Sequence, residues 1–200
     1  MQITLDDQTV DLDGPSLGQL LDAARDRLAD GGRVVVEVAV DGHKLAEDQI
    51  LARRDDDVAD LDVRFVSADP RKLAVDTLEQ VRGRLGDAAE LQQEAADLLQ
   101  RDQTQPALKK VGESIEGWLQ VQQAVLHATV LLSIDLDTLT VDGEPAHALT
   151  TEALARLEDV KGHLQAGDTV ALADALAYEW PETTAKWHAL IDAVVEAIGR

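Results

Sequence analysis

The sequence predicts an α+β protein in two parts: a unit of β-β-α-β-β order over residues 1–69, then an antiparallel four-helix bundle over residues 70–200. Two observations predict this. Apolar residues recur at every second position in short runs up to Phe65, as in strands, and at every third or fourth position after Asp69-Pro70, as in helices. Asp is a favourable helix N-cap and Pro suits the first helical position, so this dipeptide marks the boundary.

A short β-hairpin opens the first part. Ile3 and Leu5 alternate with polar residues, Val10 and Leu12 do the same, and Asp6-Asp7-Gln8 lies between the two runs. An amphipathic helix follows, with Ser16 as its N-cap. Its apolar residues lie at i, i+3, i+4, i+7 and i+11 and therefore share one face: Leu17, Leu20, Leu21, Ala24 and Leu28. Gly31-Gly32 ends the helix, because glycine accepts the left-handed geometry of helix ends.

The rest of the first part predicts two strands around a short helix. Residues 33–40 contain five valines, and β-branched side chains favour strands. Simple alternation places four of them on one face: Val34, Val36, Val38 and Val40. Asp41-Gly42 predicts a tight turn, and a short helix or turn follows within residues 45–54, with Leu45, Ile50 and Leu51 as its apolar residues. The last strand carries Leu61, Val63 and Phe65.

This order of elements resembles the β-grasp, or ubiquitin-like, superfold over residues 1–67. The segment Met1-Gln2-Ile3 opens the first strand, and Asp41-Gly42-His43-Lys44-Leu45 lies where ubiquitin-like domains have a turn. Conjugated and sulfur-carrier members of the superfold end in a free Gly-Gly tail. Here the last strand continues through Ser67-Ala68-Asp69-Pro70 into a helix, so neither of those roles is expected. No family is identified for the helical remainder.

Four helices are predicted after the boundary. The first runs from about Pro70 to Arg101, and the second from about Pro106 to Ser133. The stripe of the second helix comprises Leu108, Val111, Ile115, Trp118, Gln122, Val125, Thr129 and Leu132. Residues 134–148 break the pattern, and Asp142-Gly143-Glu144-Pro145 predicts a small hairpin there.

Two further helices complete the predicted bundle. Thr150 or Thr151 caps the third helix, whose apolar residues are Leu154, Leu157, Val160 and Leu164. The last helix follows Gly167-Asp168 and continues across Pro181 as one kinked helix, since its apolar stripe keeps its period there. The predicted helices differ in length, so one overhangs its neighbours. A second copy of the chain would cover it, and we therefore expect a homodimer.

Composition excludes several classes of function. The chain has 39 acidic against 18 basic residues, a formal net charge of -21, and no cysteine. Such a surface repels nucleic acid and anionic membranes and favours a basic protein partner. No apolar run is long enough to span a membrane, and the N-terminus lacks a signal peptide, so a cytoplasmic protein is expected.

No catalytic, cofactor or metal site is predicted. The five histidines lack the spacing of a zinc helix, and the loop of Asp135-Leu136-Asp137 and Asp142-Gly143 fails the calcium-loop pattern. The candidate site is instead a concentration of rings. Tyr178, Trp180 and Trp187 lie within ten positions beside Pro181, and Trp118 is their expected packing partner. They either fill the bundle core or anchor a protein partner, because Trp and Tyr dominate interface hot spots.

Three functions follow from these observations. The first is a non-enzymatic protein-interaction or scaffold protein, with Tyr178, Trp180, Trp187 and Trp118 as the candidate partner-binding residues. The second is a cytoplasmic chaperone of an export or secretion system, since such proteins are often small, acidic and helical. The third is an enzyme with an inter-domain pocket, which would require a buried pair of titratable groups with separated pKa values.

Overall fold

The computed structural model describes residues 2–199 and divides into two compact units, residues 1–73 and residues 74–200. The first unit holds a five-stranded mixed sheet with two helices, and the second consists of helices and one small hairpin. The protein is therefore α+β, with the sheet at the N-terminus and the helices after it, as predicted. The third helix begins at Pro70, directly after the last strand of the sheet.

Seven elements build the sheet unit. They are β1 (Gln2–Leu5), β2 (Gln8–Thr9), α1 (Leu17–Ala29), β3 (Val34–Val40), β4 (His43–Lys44), α2 (Glu47–Ala52) and β5 (Asp62–Ala68). The strand order is β2-β1-β5-β3-β4. The two central strands β1 and β5 are parallel, and every other neighbouring pair is antiparallel. Strand β4 is an additional element, because the sequence predicts only a turn at that point.

Two-residue turns close both hairpins of the sheet, and the turn at Asp41-Gly42 is as predicted. In the first hairpin the second strand is Gln8–Thr9, so Gln8, predicted between the strands, lies in the strand, while Val10 and Leu12, predicted in the strand, follow it. Asp6 and Asp7 have φ of 50° and 63°, and Asp41 and Gly42 have φ of 49° and 77°. Two successive residues with positive φ form the turn whose twist matches that of the strands it joins. A third turn of this kind, Asp142-Gly143, closes the predicted hairpin of the second unit. Asp is among the residues that tolerate this region of backbone space.

Helix α1 forms as its sequence predicts. The Ser16 hydroxyl accepts a hydrogen bond from the Gln19 N–H at 3.4 Å, which caps the first turn. All five residues of the predicted apolar face are buried, and they pack into one core with Val63 and Phe65 of β5. Gly32, with φ of 62°, follows the end of the helix.

The predicted face of β3 is wrong at Val34 and Val36, neither of which packs in the core of the first unit. The pairing with β5 shifts register between Val35 and Glu37, so Val36 is an extra residue, a β-bulge. Because a bulge breaks the period of two, Val38 and Val40 face the core together with Val35. Val36 itself is 43% exposed. Alternation alone could not predict this change of face.

The second unit contains the remaining helices and a hairpin. Its elements are α3 (Pro70–Gln100, which begins in the first unit), α4 (Thr104–Leu131), β6 (Thr140–Val141), β7 (Glu144–Pro145), α5 (Ala146–Ala166), α6 (Thr169–Asp174) and α7 (Trp180–Gly199). Asp69 caps α3, since its Oδ1 accepts the N–H of Arg71 at 2.8 Å. Helix α4 packs against α3, where Arg84 donates to Gln120 at 2.7 Å, and also against α7.

Helix α5 begins earlier than predicted and buries a different face. It starts at Ala146, directly after Pro145, and the Thr150 hydroxyl donates to the His147 carbonyl inside the helix instead of capping it. The buried residues are Ala146, Leu149, Ala153 and Val160. Leu154, predicted to be in the core, is 56% exposed. The small side chains of Ala146 and Ala153 mark the closely packed face, and a search for large apolar residues misses it.

One continuous helical stretch crosses Pro181, as predicted. Between α6 and α7 the backbone forms a π-helical turn, Ala175–Glu179, in which the Trp180 N–H donates to the Ala175 carbonyl. Pro181 has no N–H, and its ring would collide with the carbonyl four residues earlier in a regular α-helix. The wider turn lies immediately before this proline and allows the apolar stripe to continue.

Candidate functional site

The three tryptophans form the centre of the helical unit. Trp118 of α4 and Trp180 and Trp187 of α7 are each at most 1% exposed. The ring centroid of Trp118 lies 4.8 Å from that of Trp180 and 5.4 Å from that of Trp187, both in edge-to-face geometry. Such pairs are favourable beyond their buried area. The packing-partner role expected for Trp118 is therefore observed, while a surface anchor made of these three rings is not.

Tyr178, unlike the three buried tryptophans, is exposed to solvent. It lies on the π-helical turn and is 73% exposed. Its neighbour Glu179 forms an ion pair with Arg156 of α5, which ties the turn to that helix. Of the four candidate partner-binding residues, Tyr178 alone presents its ring to solvent.

The indole N–H groups of the cluster differ in their partners. The Trp187 Nε1 donates to the Leu149 carbonyl of α5 at 3.3 Å. The Nε1 atoms of Trp118 and Trp180 have no hydrogen-bond partner among the described residues. Trp187 is thus the ring whose orientation is fixed by a polar contact as well as by packing.

An apolar groove opens above Trp187. It has a volume of about 290 Å³ and lies between α4, the loop before β6, α5 and α7. Trp187, Val125 and Leu136 line it together with two half-exposed leucines, Leu126 at 55% and Leu154 at 56%. The remaining lining residues are Gln122 and Thr150, so none of the described lining residues is charged.

The exposed apolar surface extends along α4. Leu119 is 46% exposed and Val130 is 70% exposed, and with Leu126 they lie at i, i+7 and i+11 of the helix. This spacing places them on one face, beside the buried stripe. Sequence analysis missed these residues because it assigned α4 a single apolar stripe. The sequence signal that could have identified them is the presence of leucines and valines on α4 outside that stripe.

Charged and titratable side chains of α7 lie outside the groove lining. The Lys186 ammonium lies 3.0 Å from Glu152 and 3.1 Å from Glu182, and hydrogen bonds to these two carboxylates raise the pKa of Lys186. Burial lowers the pKa of His188; the positive charge of Arg82 lowers it further, and Asp192 acts in the opposite direction. Because none of these groups lines the groove, we assign them no role in it.

The described residues show little that would support catalysis or metal binding. No group of three or more His, Asp or Glu residues between residues 2 and 199 could hold a metal ion. The buried polar side chains of this stretch belong to Ser, Thr and Gln, and none is ionisable: Ser67, Gln92, Ser114, Thr129, Thr183 and Thr184. The enzymatic alternative therefore receives no support from a buried acid or base in this part of the chain.

Comparison with known proteins identifies no relative. The chain matches no family model, no curated protein and no solved structure. In the part of the chain that the structure describes, no helix is both long enough and apolar enough to cross a membrane. The function must therefore be argued from the geometry of the groove and the charge of the surface.

Proposed function

We propose that this protein is a non-enzymatic protein-interaction module whose helical unit binds an amphipathic helix of a basic partner. The observation that carries the proposal is the uncharged groove above Trp187, with Leu126 and Leu154 exposed beside it. Exposed leucines that converge on a concave surface over a buried aromatic ring are typical of helix-in-groove recognition.

The shape of the surface supports a helical occupant. The groove lies along α4, and Leu119, Leu126 and Val130 extend its apolar surface along the same face. A partner helix with apolar residues at i, i+3, i+4 and i+7 presents a matching stripe. A contiguous apolar patch of this kind on a highly charged protein marks an interaction site.

The charge of the chain supports a basic partner. With 39 acidic and 18 basic residues, the basic residues of the chain neutralise less than half of the acidic charge. A helix with Lys or Arg beside its apolar stripe would be attracted to this surface, whereas a second copy of the chain brings another charge of -21. We therefore choose a basic helix, and not a second copy, as the occupant.

We also propose that the first unit is a β-grasp domain. The strand order β2-β1-β5-β3-β4, with a parallel central pair and a helix after the first hairpin, supports this assignment. The unit continues directly from β5 into α3, so it has no free tail after its last strand. A fold of this kind does not by itself specify a partner.

A labelled peptide tests the proposed groove. The probe is a fluorescein-labelled amphipathic helix of leucine and lysine, and binding is measured by fluorescence anisotropy at about 0.15 M salt, where the Debye length is about 8 Å. Leu154→Asp should weaken binding by about tenfold or more, because it removes one buried leucine contact and places a charge in the groove.

Val170→Asp provides the matched control. Val170 is 71% exposed on α6, does not line the groove, and its substitution adds the same negative charge as Leu154→Asp. Equal affinities of the two variants would refute the groove as the binding site, since the peptide would then respond only to overall charge. The proposal would also be refuted if light scattering showed that the wild-type protein is a dimer and that Leu154→Asp is a monomer. A second copy of the chain would then occupy the groove.

A further inference from the structure

One edge of the sheet in the first unit is largely unpaired. Strand β3 lies between β5 and β4, but β4 pairs only with Ala39 and Val40. One more backbone hydrogen bond joins this edge to the chain after β4: the Leu45 N–H donates to the Val38 carbonyl at 2.9 Å. Within the described residues, no strand lies beside the stretch from Val34 to Glu37 on this edge. An open edge of this kind is a template for another extended chain.

A groove follows the open edge. It has a volume of about 410 Å³ and runs between β3, α1 and α2, with Leu21, Val35 and Ile50 among its lining residues. A second stretch of about 530 Å³ continues it past Val34 toward Gly32, and both stretches share Val35 and Arg25. The groove therefore extends along the whole unpaired part of the strand.

Two exposed apolar side chains line the same groove. Val36, displaced from the core by the bulge, is 43% exposed, and Leu51 of α2 is 64% exposed. Because side chains of an added strand alternate between two faces, an apolar residue at every second position would contact this surface. The four strand residues from Val34 to Glu37 span roughly 13 Å, which is sufficient for a short peptide.

The charges along the groove favour an acidic peptide at one end. In the stretch toward Gly32 the charged lining residues are Arg25 and Arg33, and no acidic residue lines it. The Arg33 guanidinium already contacts Ser67 and Asp6, so Arg25 is the cation left for a ligand. Among the described residues the Arg25 guanidinium forms one ion pair, a long contact of 3.7 Å with Asp22, and its side chain is 58% exposed. On a chain with 39 acidic residues, a groove segment lined by arginine without carboxylates is unusual. Arginine binds carboxylates through paired N–H donors.

From the open edge, the groove and its arginines, we propose that β3 binds an extended peptide as an added strand, and that this peptide carries alternating apolar residues followed by carboxylates. The backbone of the peptide would pair with the Val34–Glu37 edge, and its carboxylates would lie beside Arg25. This site lies in the first unit and does not depend on the helical groove proposed above.

Two labelled peptides test this proposal with the full chain. The first has alternating valines followed by aspartates, and its twin has lysines in place of the aspartates. We expect the acidic peptide to bind more tightly at about 0.15 M salt, where attraction and repulsion beyond about 8 Å are screened. This order is opposite to the one that the net charge of -21 alone would produce.

The variants are Arg25→Glu and, as the matched control, Arg27→Glu. Arg27 is exposed two residues further along α1, lines neither stretch of the groove, and changes the net charge equally. Arg25→Glu should weaken binding of the acidic peptide about tenfold, and Arg27→Glu should leave it nearly unchanged. Within Val34–Glu37 of the wild-type chain, the amides that do not bond to β5 should exchange more slowly when the acidic peptide binds. An acidic peptide with an N-methylated backbone should not slow their exchange.

Three results would overturn the proposal. The first is binding of neither peptide, or equal binding of both. The second is an equal effect of Arg25→Glu and Arg27→Glu. The third is slow exchange, without peptide, of the Val34–Glu37 amides that do not bond to β5, together with a dimer in light scattering, because a second copy of the chain would then occupy this edge.

Discussion

Asp6 joins the first hairpin to the end of β5 through a small network. Its Oδ1 accepts the Ser67 N–H at 2.7 Å, and its Oδ2 accepts the Ser67 hydroxyl at 2.6 Å. Arg33 donates to the same hydroxyl at 2.8 Å and lies 3.5 Å from the Asp6 carboxylate. The two hydrogen bonds from Ser67, followed by the charge of Arg33, lower the pKa of Asp6 below its usual 3.8.

Asp6→Asn should lower the free energy of unfolding at neutral pH by about 1 kcal/mol. This is less than the roughly 1.5–3 kcal/mol of a hydrogen bond to a charged group, because Asp6 is 40% exposed and solvent screens its charge. A lowered pKa in the folded state stabilises the fold above 3.8, and this stabilisation is lost as the pH falls through the folded-state value. The difference between wild type and variant should therefore shrink below about pH 3.8, in urea unfolding followed by circular dichroism at several pH values.

Asp7→Asn is the control, because Asp7 lies in the same turn with positive φ, is 79% exposed and contacts Arg64 at 3.2 Å. A difference between wild type and Asp6→Asn that is independent of pH down to about pH 2 would contradict the role of the carboxylate charge. The positive φ of Asp6 could be anticipated from the turn sequence. Its contact with Ser67, 61 positions away, could not.

Individual elements show where local patterns predicted structure and where packing changed it. Helix α1 and the stripe of the last helix are as predicted, because each has one apolar face with large side chains. The face of β3 and the start and buried face of α5 differ, because a bulge and two small alanines determine them. Neither the bulge nor the packing of small alanines can be predicted from the spacing of large apolar residues.

The contact between α7 and α5 leads to a prediction about two buried rings. Trp180 and Trp187 are each 1% exposed and each contacts Trp118, but only the Trp187 indole donates a hydrogen bond, to Leu149. Trp187→Phe should therefore destabilise the protein by about 1 kcal/mol more than Trp180→Phe, since it also removes one net hydrogen bond. Urea unfolding followed by far-ultraviolet circular dichroism measures the difference.

The two substitutions serve as controls for each other, because both remove the same atoms from similarly buried sites. An equal loss of stability, or a larger loss for Trp180→Phe, would show that the bond to Leu149 contributes nothing measurable. It would also indicate that edge-to-face packing with Trp118 dominates at both positions.

The charge of the whole molecule determines its response to salt. Its 39 acidic residues exceed the 18 basic ones by 21, so basic residues of the chain neutralise less than half of the acidic charge. Repulsion between the excess carboxylates opposes the compact state, and salt screens it. Surface ion pairs weaken at the same time, but each contributes little.

We expect the unfolding temperature to rise when NaCl is increased from about 0.01 M to about 1 M, as the Debye length falls from about 30 Å to about 3 Å. The rise should be roughly 2–4 °C for each kcal/mol of repulsion removed. Differential scanning calorimetry measures it, and choline chloride serves as a control for specific binding of sodium. A constant or falling midpoint would show that paired charges outweigh the excess carboxylates.

The oligomeric state of the protein stays a prediction. A homodimer was expected because the helices differ in length, and light scattering at low and high salt measures it directly. Repulsion between two chains of charge -21 is strongest at low salt, so a dimer there would require an extensive apolar interface.

The sequence by itself determined the α+β class, the positions of most elements and the acidity of the surface, because these depend on local periodicity, turn residues and composition. Only the tertiary structure decided which apolar residues are buried. It places the three tryptophans in the core, and it exposes Leu126 and Leu154 beside one groove and Val36 beside another. Burial depends on which elements pack together, and residues distant in the chain make that contact.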